Sequence, residues 1–185
     1  MTEREKMVNG QIYETFSDEL EQDRIKAKAL CMKYNSLLPN QKKEKQEILK
    51  SLLPNIGENI VIEPNFFCDY GYNIKLNGDV YINHNSVFLD CAEIQIGDKT
   101  FIGPNCGFYT AIHPIKYRDR ITERETAKPI TIGKGVWIGG NVTILPGVKI
   151  GDRAVIGAGS VVVKDIPQDV VAVGNPCKVI KKIEQ

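Results

Sequence analysis

Only two histidines occur in this chain of 185 residues, and one of them, His113, stands with Pro114 where a regular pattern stops and a charged, aperiodic segment begins. An imidazole titrates close to neutrality, so a ring held by a rigid neighbour can take a proton from a hydroxyl and return it to a thiolate. At the root of a long loop, such a ring can project into a groove that the loop covers, and loops of this length are often functional. His84 and His113 have no metal-ligand spacing, and two histidines cannot supply a three-imidazole zinc site, so no metal is expected. No G-x-S-x-G elbow, Walker A sequence or G-x-G-x-x-G fingerprint is present. The cysteines, Cys31, Cys68, Cys91, Cys106 and Cys177, are odd in number, scattered and without a C-x-x-C pair, and read as free thiols.

The scaffold that must hold His113 is written in a six-residue beat. Ile132, Ile138, Ile144, Ile150, Ile156 and Val162 keep it, and Gly133, Gly139, Gly151 and Gly157 follow directly after four of them. Four residues after each frame position come Val136, Val142, Val148, Ala154, Ser160 and Ile166, small or β-branched, so both positions face inward in an extended segment. Six is neither the helical nor the simple strand period, and it implies stacked equivalent turns. Three edges close a triangular turn, each paired with its neighbours at about 4.8 Å, which is a parallel β-helix. Glycine after the frame residue suits a corner, where a side chain would obstruct the bend or demand a costly backbone angle. Upstream the beat returns at Ile96, Ile102 and Phe108, with Thr100, Cys106 and Ile112 at the small position, and at Ile62, Cys68, Ile74 and Val80. The phase slips between Val80 and Ile96, which predicts one irregular corner at 81–95.

Ahead of the repeat, helical spacing predicts one helix over 18–35, where Ser17 and Asp18 offer capping oxygens, and a second from about Asn40 to Leu53, stopped by Pro54. These would cover the exposed edge at one end of the coils. The expected organisation is a helical cap at 1–55, a solenoid at 56–173 with an extruded loop at 113–129, and a tail at 174–185 packing on the solenoid. The formal net charge is +1, so no overall field draws nucleic acid or anionic membrane. The start carries no signal-peptide core and no stretch reaches the length of a membrane span, so a cytoplasmic protein is expected.

The motifs YTAIHPI around His113, CDYGYNI at 68–74, the run from KPITIG to VVVKDI at 128–166, GNPCKVI at 174–180 and the N-terminal YETFSDEL resemble the maltose and galactoside O-acetyltransferase family over nearly the whole chain. The resemblance implies a left-handed winding, a homotrimer, and transfer of acetyl from acetyl-CoA to a hydroxyl of maltose, glucose or a related sugar. It makes His113 the general base of a direct attack. It places Asp69 and Asn83 where acceptor is held or reacting groups are oriented, and Asp18 beside the acceptor site. Cys91 falls where relatives carry a carboxylate, with Asp90 next to it. Glu125 either orients the imidazole, binds a sugar hydroxyl or is a plain surface glutamate. For the cofactor, the resemblance lays pantetheine beside Gly140, Ala158, Val163 and Lys164, with the Gly140 N–H as oxyanion donor, and sets Lys178 and Lys181 against the nucleotide phosphates. Trp137 is expected at a subunit seam. Two other readings stand beside this one: the same transfer to a different hydroxyl, such as an antibiotic, a lipo-oligosaccharide or serine, and a structural solenoid without turnover.

Overall fold

A computed structural model describes residues 1–184. The chain winds into a left-handed parallel β-helix with three flat faces. The first face stacks Ile60–Ile62, Val80–Ile82, Thr100–Ile102, Trp137–Ile138, Val155–Ile156 and Val170–Val173. The second stacks Phe67–Cys68, Val87–Leu89, Gly107–Tyr109, Thr143–Ile144 and Val161–Val162, and the third Asn55–Ile56, Ile74–Leu76, Ile94–Ile96, Ile130–Ile132 and Lys149–Ile150.

The beat survives intact only after the loop. There Ile138 lies beside Ile156 and Ile144 beside Val162, so one turn takes 18 residues. In the earlier turns Ile62 lies beside Ile82, Ile82 beside Ile102 and Cys68 beside Phe88, so one turn takes 20. The expectation of one irregular corner at 81–95 is corrected by this register. Ile74 and Val80 lie two residues before the true frame positions Leu76 and Ile82, and point inward because side chains two apart share a face. The extra residues recur at every early corner between the second and third faces, at 69–73 and 90–93, and the loop leaves from the same corner one turn on. Ile112, read as an inward position, is only half-buried and belongs to the loop.

Inside, the isoleucine columns and a stack of Phe66, Phe88 and Phe108 fill the prism; the last two rings lie 4.4 Å apart and nearly parallel. Burying each such side chain contributes about 1.5–3 kcal/mol. The frame glycines are small for a reason of stacking. A Cβ on Gly139 would lie 2.6 Å from the Ala158 backbone nitrogen in the next coil. The left-handed backbone falls two residues later at each corner, where Asn65, Asn85, Asn105, Asn141 and Gly159 form one column. Asparagine tolerates that conformation better than other non-glycine residues.

Three helices cover the open end: α1 (Glu3–Val8), α2 (Asp18–Ser36) and α3 (Lys42–Leu52). The first was not read from the sequence, although Thr2 and Glu5 form a capping box. Ser17 is the N-cap of α2, but its hydroxyl makes no capping bond. Leu49 and Leu52 of α3, with Leu53 at its C-cap, join the solenoid core, which gives that helix its place. At the far end, Lys178–Lys182 turns back as an antiparallel strand on Val170–Val173, with exposed lysines along the outermost edge. No helix of the described residues is long and apolar enough to cross a membrane.

Candidate active site

The loop after Thr110 is an arm built of strands rather than an irregular excursion. Ala111–Ile112 pairs antiparallel with Arg124–Ala127, which pairs in turn with Tyr13–Glu14 from the N-terminal segment. A short helix, α4 (Tyr117–Arg120), forms the tip. The Lys128 N–H closes the base by donating to the Thr110 carbonyl at 2.9 Å. The pairing sets Ala111 opposite Ala127 and Ile112 opposite Thr126, so the next step brings His113 opposite Glu125. His113 Nδ1 lies 3.3 Å from Glu125 Oε1. On the other side Tyr13 stands opposite Glu125, and its hydroxyl donates to Oε2 at 2.8 Å.

Burial separates the partners. The Glu125 side chain is 9% exposed and the His113 side chain 63% exposed, so the carboxylate is fixed while the ring faces outward. That ring opens on a cleft of about 410 Å³ lined by Ile12, Pro114, Asp119, Thr122, Arg124 and Thr126. Beneath the arm Met7, Tyr13, Leu20, Tyr70, Cys91, Ala92 and Ala127 form a second small core that ties the N-terminal segment to the corner.

The inserted residues of that corner carry the remaining charge. Asp90 is fully buried and accepts the N–H groups of Asp69, Tyr70 and Gly71. Burial pushes its carboxyl up to about 7, and the backbone donors offset only part of the shift. Burial also raises Asp69, against the pull of Lys28 and Arg24. Cys91 lies with its sulfur 4.0 Å from Asp69 Oδ2, and burial pushes its thiol up to about 12. Arg24 donates to the Tyr70 hydroxyl at 2.8 Å, between the rings of Phe16 and Tyr70.

The anticipated site residues thus fall into separate groups within one chain. His113, Glu125, Asp69 and Cys91 gather at the corner between the second and third faces. Asn83 lies on the corner between the first and second, where its Oδ1 accepts the His84 N–H. Gly140 and Ala158 stack on that same corner, and Asn83 borders a groove of about 480 Å³ with Tyr81, Phe101 and Trp137. Among the described residues the Gly140 N–H has no acceptor, whereas Gly139 and Asn141 on either side donate within the coils. Val163 and Lys164 are exposed two turns beyond the arm, Lys178 and Lys181 are exposed on the last strand, and Asp18 is an exposed first residue of α2. Sequence reasoning missed Tyr13. Thr15 and Ser17, whose hydroxyls are buried beside the same segment with no partner among the described residues, were likewise not singled out as site residues. Among the described residues no group of three His, Cys, Asp or Glu side chains is placed to hold a metal ion.

Comparison with known proteins agrees with this architecture. Residues 6–57 match the maltose acetyltransferase hexapeptide capping motif, and residues 129–164 match the six-repeat bacterial transferase hexapeptide model. The chain is 39% identical to the galactoside O-acetyltransferase of Escherichia coli, over 99% of this chain and 89% of that protein. Its structure superposes on a maltose O-acetyltransferase from Clostridium difficile with a TM-score of 0.98 at 46% identity, covering 100% and 99% of the two chains. A hexapeptide-repeat acetyltransferase from Vibrio cholerae, solved with acetyl coenzyme A, gives 0.93 at 38% identity and covers 100% of each chain. The chain belongs to the maltose and galactoside acetyltransferase family of hexapeptide-repeat acetyltransferases.

Proposed function

We propose that the protein transfers acetyl from acetyl-CoA to a hydroxyl of maltose, glucose or a related sugar, with His113 as general base. The observation that carries this reading is the pairing of an exposed imidazole with a buried carboxylate at the mouth of the arm cleft. A carboxylate beside Nδ1 favours the Nδ1–H tautomer, which leaves Nε2 unprotonated, the form a base needs. Acetyl-CoA supplies the acetyl group as a thioester. His113 takes the hydroxyl proton as the oxygen attacks the thioester carbon, and returns it to the sulfur as the carbon–sulfur bond breaks. The Gly140 N–H, unpartnered in the coils, is suited to donate to the developing oxyanion. Ala158, Val163 and Lys164 border the pantetheine, and Lys178 and Lys181 meet the phosphates from an edge rich in exposed ammonium groups. Asp69, Asn83 and Asp18 bind or orient the acceptor.

The reading needs a second copy of the chain. His113 and Gly140 occupy different corners of one prism, so a site holding both forms where the arm corner of one chain meets the glycine corner of another. The first face supports association. Val61, Tyr81, Phe101 and Trp137 lie in register down that sheet, and Phe101 and Trp137 are 57% and 58% exposed. A stripe of this kind is unusual on a monomer. A homotrimer with its sites between subunits accommodates both facts. Free cysteines and the absence of any spanning helix among the described residues fit a cytoplasmic enzyme.

Purified protein mixed with acetyl-CoA and a sugar panel should release free thiol, and His113→Ala should lower kcat by roughly 10²- to 10⁴-fold. Silence across the panel, or full activity in that variant, overturns the reading. One observation favours a second acceptor class. Cys91 puts a buried neutral thiol where relatives are expected to carry a carboxylate, removing a polar contact from the acceptor side. Inclusion of serine, antibiotic and lipo-oligosaccharide acceptors in the panel decides between them.

A further inference from the structure

We propose that Tyr13 is a positioning residue for acetyl transfer: its hydroxyl fixes the Glu125 carboxylate, which in turn holds His113 in the Nδ1–H tautomer with Nε2 free to act as base. This rests on the reading of His113 as the base, and it extends the machinery into the N-terminal segment whose helices otherwise cap the coils.

The three residues stand in one row across the arm. Tyr13 is opposite Glu125 in one antiparallel ladder, and the other ladder runs from Ala111 opposite Ala127 towards His113 opposite Glu125. Directly opposed side chains on one face of such a pair are close neighbours, so the row is set by backbone register. Among the described residues each carboxylate oxygen meets one group: Oε2 accepts from the phenol at 2.8 Å, and Oε1 faces Nδ1 at 3.3 Å.

A carboxylate gripped on one oxygen alone can turn about its last torsion, which is broad and two-fold. A second, fixed donor removes that freedom and aims the other oxygen at the ring. Tyr13 is suited to the task because it is 1% exposed and therefore has no water to bond instead. Burial also carries its phenol far above the usual titration range, so it remains a donor at every working pH. The Cys91 thiol beside it stays neutral for the same reason and brings no competing charge. With Oε2 occupied by the phenol, Oε1 is the acceptor presented to the ring, and that placement dictates which imidazole nitrogen carries the proton.

Tyr13→Phe keeps the ring and removes only the hydroxyl. Long-range proton–nitrogen NMR spectra of histidine-labelled protein report the tautomer directly, and with two histidines the His113 signals are those lost in His113→Ala. The wild type should show Nδ1–H. Tyr13→Phe should show a tautomer mixture and lose about tenfold in kcat with little change in KM for acetyl-CoA, the scale of one hydrogen bond to a charged group. In a Glu125→Gln background, Tyr13→Phe should cost nothing further, because the link it acts through is already cut. A wild-type His113 in the Nε2–H form overturns the proposal without recourse to any variant. So does a Tyr13→Phe enzyme with unchanged tautomer and rate, or losses that multiply independently in the double variant. A wild type inactive towards every acceptor would instead defeat the underlying functional reading, and the spectra would still report whether Tyr13 governs the His113 tautomer.

Discussion

Asp90 Oδ2 accepts the backbone N–H of Gly71 at 2.7 Å, joining two successive turns at the corner from which the arm departs. The same carboxyl takes the N–H groups of Asp69 and Tyr70, so one buried side chain shapes the inserted corner of the turn before it. Its burial has a cost that depends on pH. The Asp90 carboxyl titrates at about 7 in the fold, against about 3.9 for an unfolded aspartate. Its contribution to stability is therefore fully present below about pH 4 and is lost as pH rises through about 7, with Asp69 acting in the same direction. Urea unfolding across this window should show stability falling by up to roughly 1.4 kcal/mol per pH unit from Asp90, and Asp90→Asn should flatten that part of the slope. An unchanged slope in the variant would show that Asp90 is ionised at little cost.

Two glycines separate the two ways a corner can require small residues. A methyl group on Gly139 meets the backbone of the next coil, at 2.6 Å from Ala158 N and 3.1 Å from Ile156 O, and neither can move without opening the stack. Gly159 has open space around it but a φ of +73°. Gly139→Ala should cost about 1–3 kcal/mol as overpacking, and Gly159→Ala about 1 kcal/mol as backbone strain. Equal losses in denaturant unfolding would mean that coil spacing does not constrain the first position.

The contrast also explains how much of the molecule was legible beforehand. The isoleucine ladder from Ile132 to Ile156 repeats one local environment many times, so its period reveals the solenoid with no knowledge of distant contacts. The early turns hide the same rule, because Asp69–Asn73 and Asp90–Glu93 add residues at one corner while the flanking alternation keeps Ile74 and Val80 buried. His113 stood out as a candidate from its place at the break in the beat and from the family motifs around it. Tyr13 did not, since its two-residue strand has no readable period and meets Glu125 across 112 positions of sequence. The division of Asn83 and Gly140 from His113 was hidden too, because a motif records adjacency along the chain and not which corner of the prism it reaches.

Cys91 offers a test of how far the pocket beside Asp69 tolerates a charge. The thiol sits beside Asp69 and in the small core with Tyr13 and Tyr70. Cys91→Asp would bury a second carboxyl about 4 Å from Asp69, and two such groups cannot both ionise there without a large penalty. The variant should be destabilised by roughly 2–4 kcal/mol at neutral pH and recover towards pH 5, as protonation removes the repulsion. Thermal unfolding at both pH values measures this. A variant as stable as wild type at neutral pH would show that the pocket already accommodates a carboxylate, and that the thiol was not required by its surroundings.

The separation of His113 from Gly140 can be tested by mixing chains. Gly140 occupies the corner position held by Pro64 and Pro104 in earlier turns, so the backbone there already accepts proline. Gly140→Pro therefore removes the N–H at small conformational cost; the added Cβ would lie 3.3 Å from Pro104, which must give by a few tenths of an ångström. His113→Ala and Gly140→Pro should each be nearly inactive alone. If each site takes His113 from one chain and the Gly140 N–H from another, unfolding and refolding the two together in equal amounts yields intact sites by random assortment. About a quarter of the sites should then combine both wild-type residues, and kcat should return to about a quarter of the wild-type value. Sites contained within one chain would give no recovery at any ratio. Phe101→Glu in the exposed stripe should abolish the recovery as well, by placing a charge in the seam, and light scattering should show the assembly dissociated.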